Sequence, residues 1–145
     1  MKTINQNMLE IERGLLFHQV NCKGVMGNGI AKAFAQKFPG LEDAYRKYIE
    51  THRINLLGQV FVYKVSDELY IINIFGQDGV STKHRMTSYD ATVRAFESFK
   101  SDFADLPLYF PHKMGCGLGG GDWQIYSAII QAYFPQAIIC QHLPG

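Results

Sequence analysis

"FPHKMGCGLGGGDW", residues 110–123, decides how this chain reads: five of its fourteen residues are glycine. The stretch opens like the end of a buried strand and closes on Asp122-Trp123, a helix start. Glycine loses more backbone freedom on folding than any other residue. A run of it therefore marks a place where something must come very close to the main chain. "NCKGVMGNGIAKAF", residues 21–34, repeats the design: a strand end, then Gly24, Gly27 and Gly29, then a helix. Such junctions offer free N–H groups at the positive end of a helix dipole, which suits an anion. Two of them in one small chain predict two phosphates, or one diphosphate held between them.

The flanking pattern gives the fold class. "GLLFHQVN" (14–21) is mostly apolar with a polar tail, like a buried strand that delivers residues to a site. "IAKAFAQKF" puts Ile30, Phe34 and Phe38 on one helical face before Pro39-Gly40 stops it. A second helix runs through Leu41, Tyr45 and Tyr48. "QVFVYK" and "LYIINIF" read as strands joined by a turn at Ser66-Asp67-Glu68. Residues 87–103 carry Tyr89, Val93, Phe96, Phe99 and Phe103 at helical spacing, with Thr87 and Asp90 as a capping box. "PLYFP" is a short strand, and "QAIICQH" closes the chain as another. Between them "DWQIYSAIIQAYF" predicts a helix capped by Asp122 that buries Ile125, Ile129, Ala132 and Tyr133. Alternating strands and helices predict an α/β sandwich with a mixed sheet.

The bulk composition narrows the function classes. A chain of 145 residues, 47% hydrophobic, suits one domain, residues 1–145. The net charge of +1 offers no strong field for nucleic acid or an anionic membrane, although a local patch fits within a neutral total. Cys22, Cys116 and Cys140 show neither a disulfide framework nor zinc-ligand spacing, so a reducing compartment and no metal are expected. No apolar run reaches membrane-spanning length and the N-terminus has no signal-peptide core. A cytoplasmic protein without membrane contact is expected. No G-K-[ST] phosphate loop is present. Gly115, Gly117 and Gly120 spell G-x-G-x-x-G, but too little chain follows for a second βα unit. No arginine stands six positions after Cys22 or Cys116, so a cysteine-phosphatase loop is not supported.

"HQVNCKGVMGNGIAKAFAQKFPG" together with "MGCGLGGGDW" resembles the macrodomain family over essentially the whole chain, in the same element order. The similarity is to the branch of terminal ADP-ribose protein glycohydrolases, ADP-ribose-1''-phosphate phosphatases and DNA ADP-ribosyl glycohydrolases. It implies a three-layer α/β/α macrodomain that binds ADP-ribose, or a derivative, in a crevice at the strand ends and needs no cofactor. By position, the resemblance implies that Asn21 meets the distal ribose and that Gly27, Asn28, Gly29 and Ile30 border the diphosphate. Gly117, Leu118, Gly119, Gly120 and Gly121 would close over the phosphates and distal ribose. The adenine-contacting acid of the family falls on Asn7, a departure.

The reaction is the weaker inheritance. The protein glycohydrolases of this branch carry an aspartate straight after "GCGL", where this chain has Gly119. Their catalytic lysine follows the strand that here ends in "GQDG", and Lys83 comes only later in that loop. The resemblance therefore implies hydrolysis of ADP-ribose-1''-phosphate first. Removal of ADP-ribose from protein or DNA is the alternative, and non-catalytic binding of ADP-ribose or a related nucleotide is a further one. Asp122 is either an N-cap or a carboxylate that orients water. Asn21, a catalytic candidate together with Asp122, is either a hydroxyl ligand at the reacting ribose or a turn residue. His112 is either an acid–base group or structural. Gln77, Ser81, Thr82 and Lys83 are expected to form a rim, and Tyr89 to pack with its hydroxyl toward the site. Lys83-His84-Arg85 reads as a solvated basic loop. Valine at Gly27 or Gly119 is expected to block the ligand while leaving a folded protein.

Overall fold

A computed structural model of the protein describes residues 1–79, 83–99 and 105–142. Among the described residues the strands are β1 (Lys2–Asn5), β2 (Gly14–Asn21), β3 (Val60–Ser66), β4 (Leu69–Gln77), β5 (Leu108–Pro111) and β6 (Ile138–Gln141). The helices are α1 (Gly29–Lys37), α2 (Leu41–Thr51), α3 (Tyr89–Ser98) and α4 (Trp123–Tyr133), with a 3₁₀ turn at Met8–Glu10. The strands form one mixed sheet in the order β1-β6-β5-β2-β4-β3. Only β3 runs antiparallel to its neighbour.

Parallel strands covered on both faces read as continuous apolar runs. β2 shows why: all eight of its residues are buried. Leu15 and Phe17 point into a core closed by α3 and α4, where Phe17 stacks on Phe110. Leu16 and Val20 point into the opposite core, beneath Phe34 of α1, Phe38 at its C-terminal cap, and Leu41 and Tyr45 of α2. Both helices present the faces that their spacing predicts. The result is a three-layer α/β/α sandwich.

Three local readings shift. The cap of α3 is Ser88, whose hydroxyl accepts from the Ala91 N–H, because Thr87 is committed elsewhere. Phe103, placed on that helix by its spacing, lies outside the described residues. In α4 the buried residues are Tyr126 and Ile130, whereas Ile125, Ala132 and Tyr133 are exposed. The helix is turned by about one residue because the Tyr126 hydroxyl donates 2.8 Å to Gln19 Oε1 under the sheet's end. Strand β1, which the polar "KTIN" conceals, pairs with β6 at the sheet edge.

The topology fixes where a ligand can go. β2 and β5 are neighbours, yet the chain leaves β2 toward α1 and β4 on one side and leaves β5 toward α4 and β6 on the other. Neighbouring parallel strands whose connections diverge leave a crevice outside their carboxyl ends. Asn21 ends β2, Pro111 ends β5, and a glycine-rich loop follows each.

Candidate functional site

The crevice is a cavity of about 670 Å³ walled by both loops. Gly27, Asn28, Gly29 and Ile30 line one side, and Gly117, Leu118 and Gly119 line the other. Gln19, Asn21 and Gln77, from the ends of β2 and β4, also line it. A smaller cavity of about 350 Å³ holds Asn7 and shares Ile30, Pro111, His112 and Lys113 with the first. The two form one elongated trough. Gly120, Gly121 and Asp122 stand behind the second loop and do not line it.

The walls carry unspent main-chain donors. Asn28 enters α1 in an extended conformation and makes no side-chain cap, so the first turn of that helix is left open. In the second loop the N–H groups of Gly117, Leu118 and Gly119 have no partner among the described residues. Gly117 faces open space: a β-carbon there would have no neighbour within 4 Å. At Gly27 it would meet only Val25 Cγ1, at 3.4 Å. No carboxylate belongs to the described residues that line either cavity.

Asn21 works mainly as the clasp of the first loop. Its Oδ1 accepts from Lys23 N at 2.9 Å, Val25 N at 3.4 Å and the Tyr45 hydroxyl at 2.9 Å. Its Nδ2 donates to the Val25 carbonyl at 2.8 Å, which leaves one Nδ2 hydrogen. Asn7 caps the 3₁₀ turn by accepting from Leu9 N at 3.0 Å. Asp122 caps α4, its Oδ1 accepting from Gln124 N at 2.8 Å, and its own N–H donates to the Tyr89 hydroxyl at 2.8 Å.

A buried amide network, missed in the sequence, holds the second loop. Gln19 Nε2 donates to Gln77 Oε1 at 2.7 Å and to Thr87 Oγ1 at 2.8 Å, and Thr87 donates to the Gly115 carbonyl at 2.6 Å. Gln77 Nε2 donates to the Gly79 carbonyl at 2.7 Å. Gln77, expected on a rim, is thus a buried structural group. Ser81 and Thr82 lie outside the described residues. The only available signal was two glutamines inside otherwise apolar strands, "FHQVN" and "IFGQ". Met86 and Thr87 both donate to the Gly119 carbonyl, at 2.8 and 2.9 Å. A β-carbon at Gly119 would collide with Thr87 Oγ1 and lie 2.6 Å from the Gly115 carbonyl oxygen. Valine at Gly119 is therefore a packing lesion, contrary to the expectation of a folded variant.

Titratable groups in the trough are few. His112, Lys113 and Cys116 line the larger cavity, and Cys140 and His142 add to the smaller one. His112 stands edge-on to Trp123 with ring centroids 5.3 Å apart. Burial pushes the Cys116 thiol up, as it does Cys22, whose value rises to about 11. Both thiols are poor nucleophiles near neutral pH. Arg85 lies over the Tyr89 ring at 4.7 Å, so part of the basic loop is packed on α3. No group of three His, Cys, Asp or Glu among the described residues is placed to hold a metal ion. No helix among them is long and apolar enough to cross a membrane.

No family model matches the sequence. The DNA ADP-ribosyl glycohydrolase of Thermus aquaticus is 34% identical over 126 residues, covering 85% of this chain and 34% of that protein. The chain thus spans about a third of that relative. The ADP-ribose 1''-phosphate phosphatase of Lodderomyces elongisporus is 25% identical over 128 residues, covering 80% of this chain and 78% of that one. The macrodomain of Mycobacterium tuberculosis DarG superposes with a TM-score of 0.72 at 25% identity, covering 100% of this chain and 99% of that one. With the strand order, the divergent crossovers and the two glycine-rich loops, these likenesses show that the chain has the macrodomain fold.

Proposed function

We propose that the trough binds ADP-ribose or a derivative carrying the same diphosphate. The observation that carries this is the pairing of two loops with unspent N–H groups across one cavity. The diphosphate would lie between Gly27–Ile30 and Gly117–Gly119. Adenosine would extend into the Asn7 cavity, and the distal ribose toward Asn21, whose remaining Nδ2 hydrogen suits a hydroxyl oxygen. Gly120 and Gly121 would act indirectly, by shaping the loop. Asp122 we assign to the cap.

For the reaction we propose hydrolysis of ADP-ribose-1''-phosphate. Water attacks the phosphorus, the bond to the ribose oxygen breaks, and that oxygen takes up a proton. What supports this over glycosidic cleavage is the absence of a carboxylate from the described walls. Glycoside hydrolysis usually relies on paired carboxylates, whereas phosphoryl transfer depends mainly on positioning and on donors that stabilise charge. Parallel incubations test it. Phosphate release from ADP-ribose-1''-phosphate is expected; release of ADP-ribose from modified protein or DNA instead would establish the glycohydrolase alternative. If ADP-ribose is bound and no substrate is turned over, the protein is a reader of ADP-ribose.

A further inference from the structure

Lys113 is one of two non-glycine residues with positive φ among the described residues, at 62°. It sits in a tight turn closed by the Met114 N–H donating to the Pro111 carbonyl at 3.1 Å. A side chain in this left-handed region is strained, and glycine would be unstrained there. The next seven positions contain four glycines, two of them, Gly115 and Gly120, at left-handed angles of 74° and 71°. Position 113 nevertheless bears a long cation. Strain kept where the local sequence is otherwise rich in glycine points to a use for the side chain.

Its location supplies the use. Lys113 lines both cavities, at the neck where they join. It has no ion pair among the described residues, whereas Lys23 of the first loop is paired with Asp78 at 3.5 Å. The Lys113 charge also reaches Cys116, where it opposes the upward push of burial on the thiol, so it acts on the second loop. We propose that Lys113 is the specificity residue for the phosphates of the ligand: its ammonium meets the diphosphate at the neck, between adenosine and distal ribose. This rests on the functional reading above and adds to it a side-chain cation beside the main-chain donors.

The test uses Lys113→Gly, which relieves the backbone and removes the charge, and Lys113→Arg, which keeps the charge. Affinity for ADP-ribose is measured by calorimetry at low and moderate salt. Lys113→Gly should melt no lower than wild type, yet bind roughly tenfold or more weakly and with a smaller salt dependence. Lys113→Arg should stay near wild type. Wild type and Lys113→Gly binding with the same affinity and salt dependence overturns the assignment and leaves the ADP-ribose reading standing. Failure of wild type itself to bind defeats that reading and this assignment with it.

Discussion

Acidification should destabilise this fold through one buried imidazole. His18 lies in the middle of β2 with no exposure, edge-on to Phe34. Its Nε2 is 2.6 Å from Asn73 Oδ1, and its Nδ1 has no partner among the described residues. Asn73 spends its own N–H groups on the Phe61 and Ile71 carbonyls, so its oxygen is the acceptor and His18 Nε2 carries the hydrogen. A second proton would have to sit on Nδ1, buried and facing no acceptor. Burial accordingly pulls the His18 pKa from 6.5 to about 4. Above the ordinary imidazole value neither the folded nor the unfolded chain holds this proton. As the pH falls from there toward 4, the unfolded chain takes it up and the folded chain does not, so stability declines. Between pH 7 and pH 5 the loss from this one group is about 2 kcal/mol. Urea unfolding of wild type and His18→Gln at both pH values isolates it from the carboxylates. Glutamine keeps a donor for Asn73 and cannot ionise. The variant starts less stable, but its loss between the two pH values should be smaller than that of wild type by the same amount. Equal losses in both proteins would refute the reasoning.

ADP-ribose at 100-fold above its Kd should raise unfolding free energy by about 2.7 kcal/mol, read as a melting shift, and AMP should give less at equal concentration. Gly27→Val and Gly117→Val should fold near wild type and lose ADP-ribose binding, whereas Gly119→Val should be strongly destabilised without ligand; calorimetry and thermal melts separate the two. Asp122→Ala should lose ~1 kcal/mol of stability and Asp122→Asn almost none; a stable Asp122→Asn protein that binds but has lost turnover would return Asp122 to the chemistry. Thr87→Val should cost about 1–3 kcal/mol, because Gln19 and the Gly115 carbonyl lose a buried partner, and should weaken ligand binding through the displaced second loop.

The fold was legible wherever the period of apolar residues matched one face of one element. α1 and α2 turn the expected residues inward, and β2 keeps its expected bounds. Misreadings cluster where a polar group decides the geometry. Ile125 and Tyr133 looked like part of a buried stripe on α4, but a hydrogen bond from Tyr126 to Gln19, 107 residues away in sequence, sets the helix's rotation, and only Ile129 of that stripe still packs on the core. Thr87 looked like a cap because it precedes a helix by the right spacing. Its hydroxyl is instead claimed by Gln19 and Gly115, and the adjacent Ser88 caps the helix. Local pattern cannot register partners brought together by the sheet. The same limit applies to the site: both loops were visible as glycine runs, whereas Gln19 and Gln77 stand out only as polar residues in apolar strands, which does not tell that they bond to each other and to Thr87.

The glycines themselves divide by what comes near them. Gly117 and Gly27 have room for a side chain and angles that any residue adopts, so their own fold does not demand glycine. Gly119 and Gly121 are confined by the Gly115 carbonyl, and Gly115 by the Tyr126 ring. Much of what approaches the second loop is therefore the protein itself: the network beneath it requires small residues in order to hold the chain in a tight arch. That arch leaves three successive N–H groups, on residues that line the cavity, without partners among the described residues. The ligand-facing and protein-facing glycines thus serve one arrangement. The packed ones fix the curvature, and the open ones keep side chains out of the concave surface that the curvature creates. A glycine-rich strand-to-helix loop becomes an anion site through the second group, and the first supplies the rigidity that keeps those donors preorganised.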